Sequence, residues 1–450
     1  MDEKGEVLIK GIAVGTKIAT GVVKVLDKTK DIGKIQNGDV LVTRITDPDW
    51  EPIMKIASAI ITNEGGRTSH AAIVSRELGI PCIVGTGSAT EVLKDGDEIT
   101  IDCSSGGDGV VYKGKLKFSK IEHTLEKLPD IKTKVMVNIG SPDEAFRYFY
   151  LPVKGVGLGR LEFIISEAIK IHPNALINYE HLVSDLKNKE ITEKIDNLTK
   201  GYQDKKQFYV EKLSYGIAKI AASFWPHDVI VRFSDFKTNE YRMLIGGGLY
   251  EPEEQNPMLG FRGASRYYSP EFKEAFGLEC QAVIRVRKDL GLTNLVPMIP
   301  FCRTPEEARK VVGIMEEFGL SKTHDQSLKI YMMCEIPSNI LLADEFLEFF
   351  DGYSIGSNDL SQLTLGIDRD SNIVSKVSNE NDPSVKKLIK DAIRICKAKG
   401  KYIGICGQAP SDFPEFTEFL IREGIESISL NPDSIFKMIN LIHDTEAKVG

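Results

Sequence analysis

The sequence predicts an α/β protein in two parts, a small β-rich module followed by a (β/α)8 barrel of the TIM type. Three observations predict it. The chain of 450 residues is too long for one ordinary core. Its first part, from Val7 to Tyr112, is dense in short β-like runs broken by Gly and Asp turns. From Val135 onward the rhythm changes to continuous apolar strand, polar loop and amphipathic helix. Strands that are apolar along their whole length belong to a parallel sheet covered by helices. Roughly 300 residues of that rhythm suit a closed eightfold barrel better than an open doubly wound sheet.

In the first part the strand candidates are LVTRI, SAIIT, PCIVG and ITID, punctuated by Gly38-Asp39 and Asp95-Gly96-Asp97. One helix is expected from Ser69 to Leu78, stopped by Gly79 and then Pro81. Residues 1–113 are therefore assigned to the first domain. The lysine-rich, weakly apolar stretch 114–134 is assigned as a linker and 135–450 as the barrel. Eight barrel strands are expected in VMVNIG, GVGLGR, VIVRF, VPMIPF, KIYMMCEI, GYSIGSNDL, YIGICG and SISLNP. GFRG around Arg262 is a ninth candidate, one more than the ring holds. Ser141-Pro142-Asp143-Glu144 and Thr304-Pro305-Glu306-Glu307 open helices, each with a hydroxyl cap, proline in the first turn and carboxylates near the positive helix end.

Composition narrows the function. Apolar residues make up 42% and charged residues 27%, with a net charge of −8, and no basic footprint marks a nucleic-acid or anionic-membrane partner. No apolar run reaches the roughly 18 to 20 residues needed to span a bilayer. The start, MDEKGEVLIKG, lacks the basic-then-apolar order of a signal peptide. Seven cysteines without a CxxC pair argue against a disulfide framework or a structural zinc. The expected location is the cytoplasm.

Two constellations carry chemistry. In GGRTSHAAIVSRELGIP the glycines Gly65 and Gly66 permit a tight loop, and His70 falls at the helix start. Unsatisfied amides and the helix dipole there favour an anion, Arg67 adds a cation, and Thr68 and Ser69 add hydroxyls. A phosphoryl group on the imidazole of His70 would be stabilised in such a place. A single histidine behind a capping serine is more often structural, but ordinary capping requires neither a double glycine nor an arginine.

The second constellation comes from the carboxyl ends of the barrel strands, where chemistry sits in this architecture. Arg160 ends GVGLGR, Arg232 ends VIVR, and Arg262 lies in GFRG. Glu335 ends MMCE, Asn358 and Asp359 follow SIGS, and Cys406 follows YIGI. Three arginines can clamp a phosphate and a carboxylate through paired N–H donors. Two carboxylates suit a Mg²⁺ ion that keeps water and substrate oxygens as its other ligands. Taken singly, a strand-end arginine is usually a solvated charge or an ion-pair partner, and Cys406 a small core residue. The joint pattern is what departs from packing.

These blocks, with VRFSDFKTNEYRMLIGG, EEQNPMLGFRGASRY and GYSIGSNDLSQLTLGIDRDS, resemble the phosphoenolpyruvate (PEP) synthase, or pyruvate, water dikinase, branch of the PEP-utilizing enzymes. The likeness runs from about Lys10 to Asp444. It implies a swivelling phosphohistidine domain before the barrel, a PEP/pyruvate substrate and Mg²⁺ as cofactor. It implies His70 as the phosphorylated intermediate and Cys406 as acid/base at the methylene carbon. Arg160, Arg232 and Arg262 would hold the phosphoryl and enolate oxygens, Glu335 and Asp359 the metal, and Gly356, Ser357 and Asn358 the substrate carboxylate. Thr68 matches the position at which members of the family are switched off by phosphorylation.

The family also carries an ATP-grasp domain that loads the histidine, and nothing in this sequence reads as a nucleotide site. Gly246-Gly247-Gly248 lacks the lysine of a phosphate-binding loop. The expectation is a fragment of a longer enzyme that performs the pyruvate/PEP half-reaction. In the intact enzyme ATP, pyruvate and water would give AMP, PEP and phosphate. Hinges at Glu3–Ile9 and Lys113–Lys134 would free the histidine module, and a homo-oligomer is implied by the resemblance. Pyruvate, phosphate dikinase and a PEP:protein phosphotransferase are the enzymatic alternatives. A regulatory binding protein that keeps the barrel is the non-enzymatic one.

Overall fold

The computed structural model describes residues 5–15, 17–66, 69–104, 107–118, 128–367 and 380–449. It divides into two compact units, Met1–Thr124 and Leu125–Gly450. In the first unit seven strands close into a barrel: β1 (Val7–Val14), β2 (Ile18–Val25), β3 (Val40–Thr43), β4 (Ala59–Thr62), β5 (Cys82–Val84), β6 (Glu98–Asp102) and β7 (Asp108–Lys113). Around the ring the order is β1-β5-β4-β3-β2-β6-β7. The run β2-β3-β4-β5 is parallel and the remaining pairs are antiparallel.

Alternation along these strands builds two cores. Val40, Val42, Ala59 and Ile61 join one cluster with Ile83, Ile99 and Val111. Leu41 and Ile60 point the other way, onto Ala71, Ala72 and Val74 of the helix His70–Leu78. Gly79, with φ +67, ends that helix in the left-handed conformation that glycine adopts without a side-chain clash. β1 is already in the ladder at Val7, opposite Tyr112, so the hinge expected over Glu3–Ile9 does not extend past Val7.

The second unit is the eightfold barrel. Its strands are β8 (Lys134–Ile139), β9 (Val156–Arg160), β10 (Val229–Arg232), β11 (Leu295–Ile299), β12 (Tyr331–Cys334), β13 (Gly352–Ile355), β14 (Tyr402–Ile405) and β15 (Ser427–Leu430). They run parallel in sequence order and close β15 onto β8. All eight expected strands are in the ring. GFRG is not a strand: it lies in the loop before the helix Ala264–Tyr267, where Arg303 donates to the Gly260 carbonyl at 2.6 Å and its ring neighbours are absent.

Period-two alternation again sorts the side chains. Met136, Leu158, Ile230, Val296, Met298, Tyr331 and Met333 fill the barrel interior with Cys406. Val135, Val137, Val229 and Val231 face the surrounding helices. Thr304 caps the helix Pro305–Glu317, its hydroxyl accepting from the Glu307 N–H at 3.1 Å, as its sequence signature predicts. Of the stretch expected to link the units, residues 128–133 lie against the barrel. The Lys132 and Thr133 amides donate to Glu446 at 2.8 and 2.7 Å, and Leu128 and Ile131 cover the core.

Candidate functional site

In the first unit the loop after β4 delivers His70 to the first position of its helix. Gly65, at φ +111, turns the chain, and a side chain there would meet Ser69. The His70 ring is half-buried, and its Nδ1 lies 3.0 Å from the Thr46 hydroxyl. When Nδ1–H donates to Thr46, the Nε2 lone pair is left as the nucleophile. Ser69 is the N-cap residue, but its hydroxyl is buried without a hydrogen-bond partner rather than bonded to the helix amides. Arg67 and Thr68 lie outside the described residues.

In the second unit a cavity of about 690 Å³ opens at the carboxyl ends of the strands. Arg160, Arg232, Arg262, Glu335, Gly356, Asn358, Asp359 and Cys406 all line it. Ser357 does not: it is fully buried, and its hydroxyl donates to Glu380 at 2.8 Å. A side chain at Gly356 would stand about 3.0 Å from Glu335, so glycine is what lets that carboxylate reach the cavity.

The arginines are held by acids that the strand-end reading did not single out. Arg232 donates to Glu162 at 2.8 Å and lies 3.5 Å from Asp235. Arg262 grips Asp235 through two N–H groups at 3.0 and 2.5 Å, and reaches Asp359 at 3.5 Å. Burial alone would raise the Asp235 pKa, but the Arg262 and Arg232 charges win and hold its carboxyl below the usual range. The available signal was local: each of two strand-end arginines is followed within three positions by an acid, Glu162 after Arg160 and Asp235 after Arg232.

Glu335 is fully buried, and its carboxyl is raised first by desolvation, then by the charges of Asp359 and Asp235. Its Oε1 accepts the Phe301 N–H at 2.7 Å, while Oε2 is buried with no hydrogen-bond partner. Phe301 reaches Glu335 by adopting φ +44, a left-handed conformation that a bulky residue takes only under compulsion. The same residue lays its ring 4.0 Å from the Arg262 guanidinium. Cys406, just past β14, is buried with its thiol 3.6 Å from the Ile355 carbonyl, and burial pushes it up to about 11. It therefore keeps its proton at neutral pH. Asn358 accepts the Gln408 N–H at 3.2 Å, tying the loop after β13 to the loop after β14.

The cavity wall carries one more carboxylate than cations: Glu162, Asp235, Glu240, Glu335 and Asp359 against Arg160, Arg232, Arg262 and Lys237. With Glu335 ionised, a multiply charged anion entering here needs a further positive charge. The orphaned Glu335 Oε2, with Asp359 beside it, fits a hard cation that completes its shell with water and ligand oxygens. Among the described residues no group of three or more His, Cys, Asp or Glu side chains forms a self-contained metal cage.

Behind this wall Glu279 is fully buried, accepting from the Ser234 N–H at 3.1 Å and from its hydroxyl. Burial is the first cause that pushes it up to about 7. The folded state thus binds this proton more tightly than the unfolded state does. The resulting stability is present in full below about 4.5 and is lost as pH rises through about 7. Glu279→Gln should flatten the fall in melting temperature between about pH 5 and 8. Parallel melting curves for variant and wild type across that range would refute the assignment.

Strand-end arginines, acids and a thiol around one cavity, in a chain that also carries a separate histidine module, define the class. Residues 117–447 match the PEP-utilising enzyme, PEP-binding domain, and residues 35–106 the PEP-utilising enzyme, mobile domain. The chain belongs to the PEP-utilising enzymes. It is 55% identical to the phosphoenolpyruvate synthase of Aquifex aeolicus, over 100% of this chain and 57% of that protein. With the phosphoenolpyruvate synthase of Escherichia coli (strain K12) the identity is 53%, over 97% of this chain and 54% of that protein. A probable phosphoenolpyruvate synthase of Staphylothermus marinus is 46% identical, over 99% and 52%. The chain thus spans a little over half the length of these relatives. Among the described residues no helix is long and apolar enough to cross a membrane.

Proposed function

We propose that this chain exchanges a phosphoryl group between phosphoenolpyruvate and His70, forming pyruvate in one direction and phosphoenolpyruvate in the other. The observation that carries the reading is the single cavity in which three arginines, two carboxylates suited to a cation and a protonated thiol converge. Arg232 and Arg262 are preorganised by Asp235 and Glu162, so their remaining N–H groups meet the ligand oxygens without reorganisation. Glu335 and Asp359 would hold Mg²⁺, which supplies positive charge to the enolate and the transferring group. Cys406 delivers its proton to the methylene carbon of the enolate and is recharged from solvent. Thr46 holds the imidazole through Nδ1, which leaves Nε2 to accept the phosphoryl group. Turnover requires His70 and the cavity to meet.

Incubation with phosphoenolpyruvate and Mg²⁺, followed by intact-mass measurement at alkaline pH where phosphohistidine survives, tests the reading. One added phosphoryl group is the expected result; an unchanged mass would sink it. Cys406→Ala should still bind pyruvate but exchange its methyl protons with solvent at least about a hundredfold more slowly. Exchange at the wild-type rate, followed by proton NMR in deuterated buffer, would remove Cys406 from the mechanism.

A further inference from the structure

The cavity has two zones, and only one is accounted for by a three-carbon acid. At its floor stand Met333, Glu335, Asp359 and Cys406. Its outer wall, formed by the helices Leu161–Ile164 and Thr238–Arg242 and their flanks, mixes apolar side chains such as Phe163 and Met243 with the acids Glu162 and Glu240, and carries two cations, Arg160 and Lys237. A volume near 690 Å³ is in the range that holds ligands much larger than pyruvate.

Lys237 differs from Arg232 and Arg262. Those two are locked to carboxylates at 2.8 and 2.5 Å. The ammonium of Lys237 lies 3.5 Å from Glu240, beyond a short ion pair, and its side chain is 21% exposed. Glu240 is itself engaged elsewhere, its other oxygen accepting the Lys237 N–H at 2.8 Å. Lys237 is therefore a compact charge on a flexible stem that can swing to a ligand at little cost.

We propose that Lys237 is a further catalytic residue, contacting the phosphoryl group as it passes between the enolate oxygen and His70. This rests on the proposed function above. With the carbon skeleton against Cys406 and Glu335, the enol oxygen's phosphoryl group points outward, to the zone where Lys237 stands. In the step, the bond from phosphorus to the enol oxygen breaks and a bond from phosphorus to His70 Nε2 forms. The electron pair goes to the enolate oxygen, and the carbanion carbon takes the Cys406 proton. Midway the group is bound loosely to both sides, its charge spread over three equatorial oxygens, and a mobile ammonium that can follow it contributes most there.

The test compares two partial reactions in Lys237→Met and Lys237→Arg. Phosphorylation of His70 by phosphoenolpyruvate with Mg²⁺, followed by rapid quench and intact mass, should slow by about a hundredfold in Lys237→Met and be partly restored in Lys237→Arg. Exchange of pyruvate methyl protons, which involves no phosphoryl group, should fall far less. Wild-type phosphorylation by Lys237→Met overturns the proposal. So does an equal fall in both reactions, which would make Lys237 a structural residue. Failure of the wild-type chain to be phosphorylated at all would instead overturn the reading on which the proposal rests.

Discussion

His70→Ala should show no change in mass after incubation with phosphoenolpyruvate and Mg²⁺, under conditions where the wild-type chain gains one phosphoryl group. The effect is expected to be complete because the imidazole is the acceptor itself rather than an aid to it. Alanine keeps the helix start, since it is an excellent helix former and the turn is set by Gly65 and Ser69. The barrel lies in the other unit, so the variant should still exchange the methyl protons of pyruvate. That retained exchange separates loss of the acceptor from loss of the fold. A His70→Ala chain that still gained the phosphoryl mass would move the acceptor elsewhere.

Asp235→Ala should lower unfolding stability by about 3–5 kcal/mol, the cost of leaving buried charges without their partner. Asp235 is 6% exposed and touches both Arg232 and Arg262, the latter only 3% exposed. Neither guanidinium can discard its charge: Arg232 keeps Glu162 at 2.8 Å, but Arg262 must lean on another carboxylate or draw in water. Arg262 has Asp359 at 3.5 Å and would be pulled toward it, which compromises the pair of acids suited to a cation. A weaker Mg²⁺ affinity should therefore accompany the lost stability. Denaturant unfolding with and without Mg²⁺ measures both. A variant within about 0.5 kcal/mol of wild type would show that Asp235 is not the hub of the cluster.

The barrel was legible because strands covered on both faces must be apolar throughout, and VMVNIG or KIYMMCEI cannot hide among amphipathic helices. The residues that line the cavity were legible for a related reason: a charged residue closing an apolar strand stands at the carboxyl end of the ring. β1, β2 and β7 were harder to delimit, since VLIKGIAV and DGVVYK mix Lys, Gly and Asp with half-exposed positions. GFRG resembled a strand end only by analogy with its neighbours. Its backbone is instead held in a loop by Arg303, a contact between residues about forty positions apart. Phe301 was out of reach altogether. No residue type announces a left-handed phenylalanine, whose conformation follows from what Glu335 and Arg262 require of it.

Each unit curls its sheet fully round, β7 meeting β1 in one and β15 meeting β8 in the other. A closed ring offers newcomers no row of vacant amides and carbonyls, the usual seed of strand-to-strand sticking. Expressed separately, the two units should accordingly stay in solution, so that each can be handled, mixed and titrated against the other.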